Sequence, residues 1–284
     1  MPRLPLADRG SGTASPSRWL VTFLAVVLSA CGTGSATGAS TALAAAEVIE
    51  VFDGDSFLAS VDGIEEEVRL IGINAPERGE CLADAAREAL EELVGEAVEL
   101  ERDVENRDQY DRLLRYAHRS AVLVNAELAG RGLVLTGEYR PNVAHQETIE
   151  AAAAEARAEQ RGLWSERPCG GEATGVVIES VVADPPGPDE GEESVVVANR
   201  GLDPVDIGGW TIRDGSSVHR FSFPAGTVLA PGSVIRVITG CDQAPVGALC
   251  WAAGSAVWDN DGDIAFLLDG EGRQMHSLDT EEYR

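Results

Sequence analysis

Apolar residues repeat at helical spacing in the first part of this chain and stop doing so beyond Trp164. One uniform architecture for all 284 residues is thereby excluded. Residues 47–61 alternate as a strand, a turn at Asp53-Gly54 and a second strand. Asp62-Gly63 is a strong hairpin signal, and a third strand runs from Val68 to Ile73. Leu82, Ala85, Ala86, Ala89, Leu90 and Leu93 then recur at helical spacing, and Gly95 ends that helix. Strands are expected over 97–102 and 113–119, followed by a short helix near 122–129. An alanine-rich helix over 143–160 carries Ile149, Ala152, Ala153 and Ala156 on one side.

Over residues 47–167 these elements predict a small α+β barrel of the oligonucleotide-binding type, five short strands with helices packed outside. Residues 168–175 have the composition of a linker. After them come short β-rich runs at 176–182, 194–198, 210–213, 233–238 and 264–268, punctuated by Pro185-Pro186-Gly187-Pro188, Asp214-Gly215 and Pro231-Gly232. That spacing fits an all-β immunoglobulin-like sandwich over 176–284, so the chain reads as multidomain.

The formal net charge is −26, and the 22 basic residues are all arginine. Such acidity argues against broad electrostatic adhesion to nucleic acid, which needs clustered Lys and Arg. A phosphate substrate must instead be held locally, by a few arginines and a metal.

Arg3, Arg9 and Arg18 accompany an apolar run from Trp19 to Ala30. As a helix that run would reach about 18 Å, short of the roughly 30 Å hydrocarbon core, so residues 1–31 read as an export signal. Its ending, Leu28-Ser29-Ala30-Cys31, resembles a bacterial lipoprotein cleavage box. Cleavage there would leave Cys31 lipidated and the protein anchored to the cell membrane; a plain secretory signal would leave it extracellular. Residues 32–46 are uncharged Gly, Ala, Ser and Thr for the most part, suited to a flexible tether. Export favours disulfides among Cys81, Cys169, Cys241 and Cys250. Three pairings are possible, and keeping each bridge inside one domain favours Cys81 with Cys169 and Cys241 with Cys250. No His/Cys set has the sequence spacing of a zinc site, with only four histidines present.

The chemistry-bearing residues lie in three short stretches. Asp55 and Asn74 each offer a side-chain oxygen, with the Ala75 carbonyl beside them, and oxygen ligands with open positions suit calcium. Glu77, fixed behind Pro76, could hold a water or take its proton. Arg69 and Arg112 could grip a phosphate and stabilise charge building on its oxygens. Taken singly each has a plainer reading: Asp53-Gly54-Asp55 as a turn, Arg69 as an ion-paired strand residue, Glu77 as a helix cap. The run Glu65-Glu66-Glu67 reads as an exposed strand or hairpin edge.

Residues 47–167 resemble a staphylococcal-type thermonuclease domain. The likeness rests on Asp53-Gly54-Asp55-Ser56, on Arg69 through Glu77, on Asp108 through Arg112, on Tyr139-Arg140-Pro141-Asn142 and on Gly162-Leu163-Trp164-Ser165. It implies that Asp55, Asn74 and Ala75 hold calcium and that Arg69, Glu77 and Arg112 are catalytic. Tyr110 and Tyr139 would contact substrate, and DNA and RNA would be cleaved at the bond to the 5′ oxygen. Three departures matter. Asn74 stands where the family prototype has aspartate. Asp111 replaces a glycine, tolerable if that backbone needs no positive φ. Thr136-Gly137-Glu138 lacks a tyrosine expected just before Tyr139.

Residues 176–284 resemble a lamin-tail domain, through Val205 to Ile212, Phe221 to Thr227, Leu229 to Gly232 and Val257 to Asp263. Trp210 and Trp258 are expected in its core. Asp259, Asp261 and Asp263 lack the calcium-loop pattern of an EF-hand and read as a turn. Nothing there looks catalytic, which leaves binding or positioning, with the cell envelope or another protein as partner. The reading is thus a calcium-dependent nuclease; a non-catalytic nucleic-acid or protein adaptor that keeps the barrel is the alternative.

Overall fold

The computed structural model describes residues 43–170, 173–186, 191–216, 218–243, 246–260 and 262–280. The export signal, Cys31 and residues 32–42 of the expected tether lie outside these residues, as does Asp261. No helix among the described residues is long and apolar enough to cross a membrane.

The first domain opens with β1 (Ala44–Val51), β2 (Ser56–Val61) and β3 (Ile64–Leu70), then the two-residue β4 (Ile73–Asn74) and α1 (Ala83–Val94). It continues through β5 (Ala97–Glu101), β6 (Leu113–Arg119), β7 (Val122–Leu123), α2 (Val124–Gly130), β8 (Leu135–Thr136) and α3 (Gln146–Ala158). Antiparallel pairings run β3-β2-β1-β5-β6, and a parallel pairing of Val68–Leu70 with Leu113–Arg115 joins the two ends. Five strands therefore form a closed barrel with no free edge between them. Phe57, Leu70, Leu100 and Tyr116 share its core with Leu90 of α1, Leu128 of α2 and Ile149 of α3.

The helical periodicity placed α1 correctly, and Gly95 ends it at φ 58°. Two boundaries moved. β1 begins at Ala44, inside the span read as tether, because Ala44, Ala45 and Ala46 pair with Leu100, Glu99 and Val98. The third strand breaks after Leu70, where Gly72 turns at φ 80°, before Ile73 and Asn74 pair with Thr136 and Leu135. Of the acidic run in β3, Glu66 is no idle edge residue: both its carboxylate oxygens accept from Arg107, at 2.7 and 2.9 Å.

The second domain is a strand-rich immunoglobulin-like sandwich. Its strands are β9 (Val176–Val182), β10 (Ser194–Asn199), β11 (Val205–Asp206), β12 (Thr211–Arg213) and β13 (Arg220–Ser222), then β14 (Val228–Leu229), β15 (Val234–Thr239), β16 (Ala248–Trp251), β17 (Ile264–Leu268) and β18 (Gln274–Asp279). One sheet runs β16-β15-β10-β9 and the other β13-β12-β17-β18. Trp210 and Trp258 are buried in the shared core, as expected. The shortest strands had no visible period, since two or three residues cannot express one.

The two domains share a seam. Leu135 and Leu163 of the first are buried against Phe266 and Leu268 of the second, with Trp164 and Ile264 at the margin. The backbone N–H of Cys81 donates to the Gly272 carbonyl at 2.9 Å, and Gln274 donates to the Leu163 carbonyl at 3.1 Å. A Cβ at Gly272 would stand 2.2 Å from the Gly79 oxygen, so only glycine permits this approach. Glu80, its side chain 8% exposed, pairs with Arg213 at 3.4 Å and also with Arg220. Disulfides join Cys81 to Cys169 and Cys241 to Cys250. In the chain-entropy picture the long loop contributes about 4–5 kcal/mol and the short one nearer 3.

Candidate active site

The turn between β1 and β2 is built around Asp53. Its Oδ1 accepts the Asp55 N–H at 2.9 Å and the Ser56 hydroxyl at 2.8 Å. Gly54 lets this turn lie against α1, because a Cβ there would meet those of Ala86 at 2.5 Å and Ala75 at 2.8 Å. Asp55 is thereby buried, and its Oδ2 accepts the Ala75 N–H at 2.6 Å. One hydrogen bond thus ties together two stretches twenty residues apart in sequence.

Arg69, in β3, is buried and uses every donor of its guanidinium. Nε faces Asp55 Oδ1 at 3.2 Å, Nη1 serves the carbonyls of Leu70 and Ile73, and Nη2 serves Asn74 Oδ1 and the Tyr139 hydroxyl, both at 3.1 Å. Arg112 is arranged differently. Its Nε donates to Asp108 at 2.7 Å and it lies 5.4 Å from the Tyr110 ring, while its Nη groups make no bond among the described residues. The two arginines are therefore not equivalent. Arg69 organises the acidic turn, and Arg112 leaves its Nη fork unbonded among the described residues.

Glu77 is exposed, on the loop between β4 and α1. The loop is stiff: Glu77 N–H donates to Glu80 Oε2 at 3.1 Å, Glu80 N–H returns to the Glu77 carbonyl at 2.8 Å, and Glu80 is itself held by the second domain. Asp55, Arg69, Asn74, Ala75, Glu77 and Arg112 all line one cleft of about 1560 Å³, together with Tyr110 and Tyr139. Folding brings the metal-ligand, catalytic and substrate-contact candidates of the first domain to a single cavity.

The other wall of that cleft was not anticipated. It comes from the second domain: Asp214, Gly215, His219, Asp259 and Asp263. Asn74 Nδ2 donates to the Gly215 carbonyl at 3.3 Å, which leaves Oδ1 toward Arg69. An aspartate at this position would oppose a carboxylate oxygen to that carbonyl, so the departure at Asn74 fits the presence of the second domain. His219 Nδ1 lies 2.7 Å from Asp214, and Asp263 Oδ1 accepts the N–H groups of Gly215 and Ile264. A turn-like Asp-Gly signal was visible at 214–215; nothing in the sequence placed it against Asn74.

Burial pushes Asp55 up to about 6, against the pull of Arg69. A buried carboxylate still costly to ionise, an amide oxygen and a neighbouring carbonyl are hard oxygen donors, and a divalent cation would relieve that cost. The residues present fit such an ion, held by Asp55, Asn74 and the Ala75 carbonyl.

Burial likewise raises Asp263 from 3.8 to about 6, helped by the charge of Asp214. A raised carboxyl contributes stability that is complete below its unfolded value and is lost as pH rises through the folded one. Asp263→Asn, which retains an Oδ1 acceptor, removes this titration. With divalent ions chelated, the parent should lose stability relative to the variant between about pH 4 and pH 7. Melting curves at those two pH values measure it, and a constant difference would show that Asp263 does not titrate there.

The turn before Arg112 fails the condition under which Asp111 would be tolerated without strain. Asp111 sits at φ 70°, so the backbone does need a left-handed residue where glycine was replaced. Asp111→Gly should stabilise the protein by about 0.5–1 kcal/mol, since only glycine takes this conformation freely. Its exposed contact with Arg107, at 3.6 Å, costs little to lose. Chemical denaturation decides it; equal or lower stability would mean the turn pays no strain.

Comparison with known proteins agrees with both halves of this architecture. Residues 67–166 match the family model described as staphylococcal nuclease homologue, and residues 171–282 match that of the lamin tail domain. The thermonuclease of Staphylococcus hyicus is 33% identical over 129 residues, covering 42% of this chain and 75% of that protein. The thermonuclease of Staphylococcus intermedius is 33% identical over 127 residues, 41% of this chain and 74% of its own length. Protein ParB of Escherichia coli is 31% identical over 134 residues, 42% of this chain and 72% of that protein.

Proposed function

Since the chain belongs, through its first domain, to the staphylococcal nuclease homologues, we propose that it is an exported, calcium-dependent nuclease that hydrolyses phosphodiester bonds of DNA and RNA. The supporting observation is the shared cleft, where a cation-binding oxygen set, an exposed carboxylate and an arginine with open donors face one space. Calcium, when bound by Asp55, Asn74 and the Ala75 carbonyl, would neutralise phosphate oxygens as charge builds on them. Glu77 takes the proton of the attacking water. Arg112 holds the phosphate through its Nη groups, and Arg69 fixes Asp55 and Asn74 in place and reaches substrate only by releasing a present partner. Tyr110 and Tyr139 flank the path of the chain being cut. The second domain narrows the approach with an acidic wall, so substrate enters by fit to the cleft rather than by long-range attraction.

Export is supported by the apolar run before Cys31 and by the two disulfides, which persist in oxidising compartments. Lipid attachment at Cys31 would hold the enzyme at the membrane, with the second domain free to engage the envelope or a protein partner. The adaptor reading keeps the barrel but has no use for Glu77 on a braced loop at the cleft, which favours the enzyme.

The test is direct. Purified protein is incubated with plasmid and with single-stranded DNA, with calcium or with a chelator. Cleavage with calcium and its loss on chelation are expected. A folded protein that leaves both substrates intact at every calcium concentration is the adaptor instead.

A further inference from the structure

Three side chains far apart in sequence converge on the face of the barrel beside the lead-in to α3. Glu101 ends β5, His118 lies in β6, and His145 immediately precedes α3. His118 Nε2 and His145 Nε2 lie 2.7 and 2.9 Å from the same oxygen, Oε2 of Glu101, and the three ligand atoms fall within 4.8 Å of one another. None belongs to the cleft described above.

We propose that Glu101, His118 and His145 form a second metal site, selective for a borderline divalent ion such as zinc and separate from the calcium site. The ligand chemistry drives the choice. Two imidazoles and one carboxylate suit zinc, whereas calcium prefers an all-oxygen set. Tetrahedral zinc holds its ligand atoms roughly 3.3 Å apart, given bond lengths near 2 Å. Opening the present contacts by about half an ångström, through small side-chain rotations, would admit the ion. The side chains keep 15%, 19% and 27% of their surface exposed, for Glu101, His118 and His145 in that order, so the site opens to solvent and leaves room for a water as fourth ligand.

The surroundings brace it. The His145 ring meets Tyr116 edge-on at 4.6 Å and lies 5.6 Å from His118. Asp103 Oδ2 accepts the Ala144 N–H at 2.9 Å and lies 3.4 Å from the Tyr116 hydroxyl. Asn142 Oδ1 accepts the Glu105 N–H at 2.8 Å. The segment from Tyr139 to His145 is thus laced to residues 101–105, and a metal would replace the His145–Glu101 contact with a stronger link. Binding would stiffen the segment that carries Tyr139 to Arg69.

Metal-stripped protein, saturated with calcium to occupy the acidic cleft, is titrated with Zn²⁺ by calorimetry and with Co²⁺ by visible absorption. One ion per chain is expected, with cobalt bands of a four- or five-coordinate nitrogen and oxygen site and a rise in melting temperature. His118→Gln, His145→Gln and Glu101→Gln should each weaken binding by about a hundredfold or more, because each removes a direct ligand. Glu101→Gln keeps shape and polarity and so guards against misfolding as the cause. His219→Gln and Asp55→Asn should leave zinc affinity unchanged. No binding by the parent at 100-fold excess, or binding indifferent to all three ligand variants, overturns the proposal. Nuclease activity is not the readout, so failure of the metal site and failure of the enzyme reading stay distinct.

Discussion

Glu77→Gln should lower the rate of DNA cleavage by about a hundredfold to ten-thousandfold, the range typical of a positioned acid–base group. Stability should stay within about 0.5 kcal/mol of the parent, because the side chain is exposed and its loop is held by other atoms. The brace is independent of the carboxylate: Glu77 contributes only its backbone N–H and carbonyl to the turn with Glu80. Glutamine keeps size and polarity but cannot accept the proton of an attacking water. Initial rates on plasmid DNA, with a melting curve for each protein, separate chemistry from folding. Normal rates in the variant would remove Glu77 from the mechanism.

Arg69→Met should destabilise the fold by about 3–5 kcal/mol at pH 7, the cost of stranding a buried charge. All five N–H donors of Arg69 are engaged, and Asp55, Asn74, Tyr139 and two carbonyls each lose a partner. Asp55 suffers most, being buried with its Oδ1 against Arg69. Because burial already raises Asp55 to about 6, the penalty should shrink toward pH 5, where its carboxyl becomes neutral. Adding Asp55→Asn should recover part of the loss, and a double-mutant cycle isolates that share. Urea denaturation at the two pH values is the measurement. A pH-independent cost below about 1 kcal/mol would mean the pair is not coupled as drawn.

The ordered motifs of the first domain were legible because local patterns decide them: an Asp-Gly turn, a proline-fixed loop, strands of period two and helices of period 3.6. Asp55, Arg69, Asn74, Glu77 and Arg112 lie in or beside those patterns, and the resemblance to a thermonuclease domain gathered them into one candidate site. What stayed hidden depends on partners distant in sequence. Asp111 gave no sign of its left-handed backbone, since aspartate is common in turns of every kind. Glu80 looked like one carboxylate among many until Arg213 and Arg220 arrived from the second domain. Glu101, His118 and His145 match no linear metal motif, because neighbouring strands and a helix start supply one residue each. Gly215 shows the same limit, as only tertiary packing puts its carbonyl on Asn74.

The seam between barrel and sandwich sets a rule for anyone wishing to dissect this molecule. Cutting near residue 170 would wet Leu135 and Leu163, strip Glu80 of Arg213 and Arg220 and leave Asn74 without the carbonyl that orients it. A truncated barrel would then report the injury of separation rather than its native competence. The halves behave as a matched lock and hasp, and any graft exchanging one must bring Glu80, Arg213, Gly215 and Gly272 along.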